Sequence, residues 1–104
     1  MHYVLLGTHT AETCPMSNAT TKALMIETAP QIPKIAEQAG VTLVSGPFVN
    51  REHTVVVIVE AAKSEDLDRF ILESRLAQWN TIRILPSLPI DEGFKQVQAS
   101  ATIF

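Results

Sequence analysis

"TVVVIVEA", residues 54–61, is the stretch on which the fold turns. Successive side chains of an extended chain alternate faces, so Val55, Val57 and Val59 point to one side and Val56 and Ile58 to the other. A strand that is apolar on both sides belongs in the middle of a sheet. The preceding run, "VTLVSGPFVN", residues 41–50, reads as a second strand, with Gly46 and Pro47 marking a bulge or an edge position. The short connector "NREH" makes the two a β-hairpin.

Outward from this hairpin, "HYVLLGTH", residues 2–9, is a first strand, and "TIRILPSLP", residues 81–89, is a last one stopped by Pro86 and Pro89. Between the first and second strands, Ser17 or Asn18 offers a helix N-cap. Ala23, Met25, Ile26, Ala29, Ile32, Ile35, Ala36 and Ala39 then follow at helical spacing up to Gly40. Pro30 and Pro33 each lack an N–H and clash with the preceding turn, which predicts a kink or two short helices. After the central strand, Ser64 is the expected cap of a helix whose Glu65 and Asp66 suit the positive end of its dipole. Leu67, Phe70, Ile71 and Ser74 form one face of that helix. The order β-α-β-β-α-β is the split βαβ unit of an α+β, ferredoxin-like fold with a four-stranded antiparallel sheet.

A chain of 104 residues, 46% hydrophobic and 18% charged, is long enough for one core and too short for two. The domain is expected over residues 1–92. Residues 93–104, "GFKQVQASATIF", form a C-terminal tail ending in the apolar pair Ile103 and Phe104. Two helices cover only one face of the sheet, and exposed apolar area forgoes about 25 cal/mol per Å² of burial. The simplest cover is a second copy about a twofold axis, so a homodimer through the open sheet face is expected, with the tail clasping the partner or fraying.

Eight basic and eleven acidic side chains give a formal charge of -3, with no clustered Lys and Arg to hold a phosphate backbone. Nucleic acid is therefore not expected as a partner. The start of the chain has no basic segment ahead of an apolar one, and no run approaches the roughly 18 to 20 apolar residues that span a bilayer. No membrane association is expected, and a single cysteine agrees with a reducing, cytoplasmic location.

Residues 43–86, "LVSGPFVNREHTVVVIVEAAKSEDLDRFILESRLAQWNTIRILP", resemble the dimeric α/β-barrel superfamily and, within it, the YCII-related branch. The shared features are Gly46-Pro47 closing the second strand, a valine-rich third strand ending in Glu60-Ala61, a Ser-Glu-Asp helix start and a Pro-terminated last strand. The resemblance implies a dimeric α/β barrel, a scaffold used by muconolactone isomerases, small monooxygenases without metal or with haem, and chlorite dismutases. YCII-related proteins place a presumed catalytic histidine in the first helix. None occurs between Ser17 and Gly40, so no catalytic residue is carried over.

In this topology the loop after the first strand, the hairpin turn and the loop before the last strand share one end of the sheet. They are "THTAETCPMSN", "NREH" and "SRLAQWN", which gather His9, Glu12, Cys14, Asn50, Arg51, Glu52, His53, Arg75, Trp79 and Asn80. Two chemistries fit that end. In the first, His9 or His53 is a general base, Arg51, Arg75 and Asn50 hold a small-molecule ligand, and Trp79 closes an apolar pocket. Cys14, near the start of the first helix, is a candidate nucleophile in the same scheme. This is the leading reading: a small-molecule-binding protein of isomerase or monooxygenase type. In the second, His9, Cys14 and His53, with Glu12 close by, bind one transition metal ion, copper or zinc, because imidazole and thiolate suit those ions. The cofactor is thus either one such ion or none. A third reading is a structural dimer or assembly module.

Overall fold

The computed structural model describes residues 1–104. Four strands, β1 (His2–Thr8), β2 (Thr42–Val49), β3 (Thr54–Glu60) and β4 (Thr81–Ser87), form one antiparallel sheet in the order β2-β3-β1-β4. Helices α1 (Ala19–Thr28), α2 (Ile32–Ala39) and α3 (Ser64–Glu73) complete the β-α-β-β-α-β order, and α4 (Ile90–Ala99) follows it. The fold is the expected α+β, ferredoxin-like one. No helix is long and apolar enough to cross a membrane.

The valine-rich stretch lies inside the sheet, between β1 and β2, as its two apolar faces require. Val55, Val57 and Val59 are buried against the helices with Leu5 of β1. Leu67, Phe70 and Ile71 of α3 and Ile32, Ala36 and Ala39 of α2 pack on the same side. β2 is an edge strand whose register slips twice, between Leu43 and Ser45 and again between Ser45 and Phe48. Gly46 sits in that irregular stretch at φ 89°, where a β-carbon would lie 2.7 Å from the Val56 carbonyl oxygen. Only glycine meets both conditions.

Pro30 and Pro33 divide the first helical segment as predicted. A 3₁₀ turn at Ala29–Gln31 separates α1 from α2. The apolar positions of α1 and α2 do not form one buried stripe, however. Ala23 and Ile26 are exposed, Ile26 by 66%, while Thr21 is buried and Leu24 and Met25 are half-buried. The break at residues 29–31 resets the helical phase, so positions before and after it do not share one stripe. The expected cap of α3 also fails. Ser64 is the first residue of the helix and Lys63 occupies the cap position without a side-chain hydrogen bond, leaving Glu65 and Asp66 in the first turn to meet the helix dipole.

The segment after β4 is a helix where a tail was expected, and the boundary drawn at residue 92 falls inside it. Pro89 takes the N-cap position, where its missing N–H costs nothing, and Asp91 and Glu92 fill the first turn. Ile90, Phe94 and Val97 form a stripe at helical spacing, yet all three are exposed and α4 buries no residue. The chain measures 53 × 31 × 18 Å with a radius of gyration of 15.9 Å, against about 13 Å for a compact domain of about 100 residues.

Candidate functional site

The loop after β1 and the hairpin turn meet at one end of the sheet. The His9 amide donates to the His53 carbonyl at 3.0 Å, one step beyond the last β1–β3 pair, Thr8 with Thr54. Sequence spacing alone separates these histidines by more than forty positions; the antiparallel register places them side by side. Their rings lie 5.3 Å apart between centroids at 76°, and the His9 ring is 5.0 Å from that of Trp79. His53 has φ 57°, a left-handed conformation that histidine enters more readily than most residues and that is enriched at functional sites.

Cys14 is carried to the same point by a loop tied to itself. Its carbonyl accepts from the amides of Ser17 (3.0 Å) and Asn18 (2.8 Å). The Ser17 hydroxyl donates to the Ala11 carbonyl, and the Asn18 amide nitrogen donates to the Glu12 carbonyl at 2.9 Å. The other end of the Asn18 amide accepts from the Thr21 amide at 2.9 Å, which caps α1. One side chain thus starts the helix and fixes the loop. Cys14 itself is 8% exposed and unpaired as a disulfide.

The ligand atoms offered by His9, Cys14 and His53 all lie within 4.8 Å of one another. A triangle with no longer side fits within about 2.8 Å of a common centre, against bonds of about 2.0–2.3 Å from zinc to histidine nitrogen and cysteine sulfur. Inward movement of less than about 1 Å per side chain therefore closes the set on one ion. Glu12 is exposed and stands outside the group, so the carboxylate considered with it contributes nothing there.

Asn80, half of whose role sequence reasoning missed, sets the chemistry of His9. Its amide nitrogen donates to the Leu76 carbonyl at 3.1 Å, which leaves its oxygen to accept from His9 Nδ1 at 2.9 Å. Bonded in this way, the neutral His9 ring has its proton on Nδ1 and its lone pair on Nε2, the tautomer that can bind a metal or take up a proton through Nε2. Asn80 is only 9% exposed, and it reaches this place because Gly7 lies beneath it: a β-carbon at Gly7 would come within 3.1 Å of the Asn80 side chain. A glycine within an apolar strand was the available signal of a close approach.

The remaining expected site residues divide. Trp79 is 7% exposed and lines the recess beside His9 and Cys14. Asn50 touches the same recess but spends its side chain on the hairpin, accepting from the Glu52 amide at 2.9 Å and donating to the Thr54 hydroxyl. Arg51 and Arg75 are exposed and border none of the cavities beside the histidines. Arg75 has φ 64° and makes the left-handed turn that leads from α3 into the Leu76–Gln78 3₁₀ turn. His2 pairs with Glu60 at 3.2 Å, far along the sheet from His9.

Two apolar hollows adjoin the cluster. A recess of about 130 Å³ is walled by His9, Cys14, Met16 and Asn50 together with Met25, Val49 and Trp79. The last three also wall a cleft of about 190 Å³ that runs between α1 and β2 past Thr28, Ala29, Ile32 and Pro47. No family model, no curated protein and no solved structure matches this chain.

Proposed function

We propose that this chain is a transition-metal-binding protein that holds one copper or zinc ion on His9, Cys14 and His53. The observation that carries the reading is the convergence of two imidazoles and a buried thiol from three loop positions to within 4.8 Å. Three further features support it. The Asn80 bond frees one nitrogen of His9 for a metal. The Cys14 loop is held by its own hydrogen bonds. The donor set is soft, which favours copper and zinc over magnesium or calcium. A lone cysteine used as a thiolate ligand also fits a reducing cytoplasm.

Metal analysis tests the reading. Protein titrated with zinc or cuprous ion and dialysed is expected to retain one ion per chain, and the Cys14→Ser and His53→Ala variants to retain none. Wild-type protein that retains no stoichiometric metal would overturn it.

A second reading, a small-molecule enzyme of isomerase or monooxygenase type with His9 or His53 as base, draws support from the apolar cleft that opens beside them. Retained turnover of a candidate substrate after joint His9→Ala and His53→Ala substitution would remove it.

The partner we propose is a second copy of this chain, in keeping with the resemblance to dimeric α/β barrels. Val4, Leu6, Val56, Ile58 and Leu85 lie half-buried on the sheet face away from α1, α2 and α3, with exposed Phe48 beside them. The stripe of Ile90, Phe94 and Val97 on α4 is equally uncovered. A twofold pairing of the sheets, with α4 as an arm over the neighbour, would cover both surfaces.

A further inference from the structure

We infer that the cleft beside the cluster admits a small apolar organosulfur molecule, its sulfur completing the coordination of the ion and its hydrocarbon body lying between α1 and β2. This rests on the metal-centre reading above. Three protein donors leave a tetrahedral ion one open position, the arrangement of sites that bind a ligand rather than of closed structural ones. His9 and Cys14 both stand in the wall of the 130 Å³ recess, so an ion between them has a neighbouring space to receive a fourth donor. That space is continuous in its lining with the 190 Å³ cleft, through Met25, Val49 and Trp79.

The chemistry of the walls selects the ligand. Neither hollow is bordered by a Lys, Arg, Asp or Glu side chain. A carboxylate or phosphate entering there would find no counter-charge except the ion itself, and its remaining oxygens would be stranded among apolar walls. A divalent ion bound by one thiolate and two neutral imidazoles carries a net single positive charge. One thiolate from the ligand cancels it and leaves nothing polar to solvate; for a cuprous ion, neutral with Cys14 alone, a thioether serves equally. Sulfur also matches the softness of the protein donors. The aliphatic and aromatic walls then favour an apolar body over a hydroxylated one.

Cobalt(II) as a spectroscopic stand-in for zinc gives the test. Protein loaded with one equivalent of cobalt is titrated with benzyl mercaptan, ethyl benzyl sulfide and 2-mercaptoethanol while the sulfur-to-cobalt charge-transfer bands are followed. Benzyl mercaptan is expected to add a saturable band at one molecule per ion, and 2-mercaptoethanol to need at least about tenfold more ligand for the same change. Ala29→Trp fills the cleft without touching the ion's ligands and is expected to load cobalt normally while losing the response to benzyl mercaptan. Failure to load cobalt would strike the metal-centre reading. Cobalt that loads but shows no change with any of the three sulfur compounds, equal response to the two thiols, or a response undiminished in Ala29→Trp would each overturn the organosulfur ligand.

Discussion

Replacing Asn80 by leucine is expected to weaken zinc binding ten- to a hundredfold while leaving the protein folded. Leucine has nearly the same shape but neither donates nor accepts. The Leu76 carbonyl still receives the Asn80 backbone amide at 3.0 Å, so the turn before β4 keeps its main-chain bond. What disappears is the 2.9 Å bond that holds the His9 ring and keeps its proton on Nδ1. Outer partners of metal-bound histidines typically contribute about ten- to a hundredfold in affinity, which is about 1.4–2.7 kcal/mol. The side chain is almost fully buried, and losing its hydrogen bonds is expected to cost about 1–3 kcal/mol of stability. Chelator competition on the metal-loaded protein measures the first quantity, and urea denaturation of the metal-free protein measures the second. The two must be separated, because a destabilised fold binds any ligand less well. Zinc affinity unchanged within twofold in Asn80→Leu, alongside loss of binding in His9→Ala, would refute the positioning role of Asn80.

Two further outcomes follow from the packing. Phe70 is fully buried in the core, so Phe70→Ala is expected to lower unfolding free energy by about 3–5 kcal/mol, a large part of the total for a domain of this size, read by the shift of a urea midpoint. Ile58 stands at the centre of the open sheet face, and Ile58→Glu is expected to convert a dimer to a monomer in sedimentation velocity with the fold intact by circular dichroism; a wild-type protein that sediments as a monomer would dismiss the pairing.

The strand order was legible because the signal is local and strong. Five consecutive β-branched residues, Val55–Val59, are not compatible with a surface strand, and Gly46-Pro47 beside them marked the irregular edge. Helix faces were less legible. The 29–31 break shifts the phase of α1 against α2, so a single 3.6-residue pattern does not run through both, and Ile26 is exposed. α4 is less legible because Pro86 and Pro89 read as stops for the last strand. Pro89 equally begins a helix, and Ile90, Phe94 and Val97 carried the period in plain view. The candidate site was legible where topology decides it, in the meeting of His9, Cys14 and His53. It was not legible where side-chain reach decides it. Nothing in the letters shows that Arg51 and Arg75 turn to solvent, or that Asn80 stands over Gly7 against the His9 ring.

The bond between the His9 amide and the His53 carbonyl joins two points forty-four positions apart in the chain. An ion shared by their side chains would act there as a removable cross-link. Closing a loop of about that length restricts the unfolded chain by about 4 kcal/mol in the chain-entropy model used for disulfides. Metal supply would then govern how long the folded chain survives as well as what it binds, and its abundance in a cell would track the ion available to it.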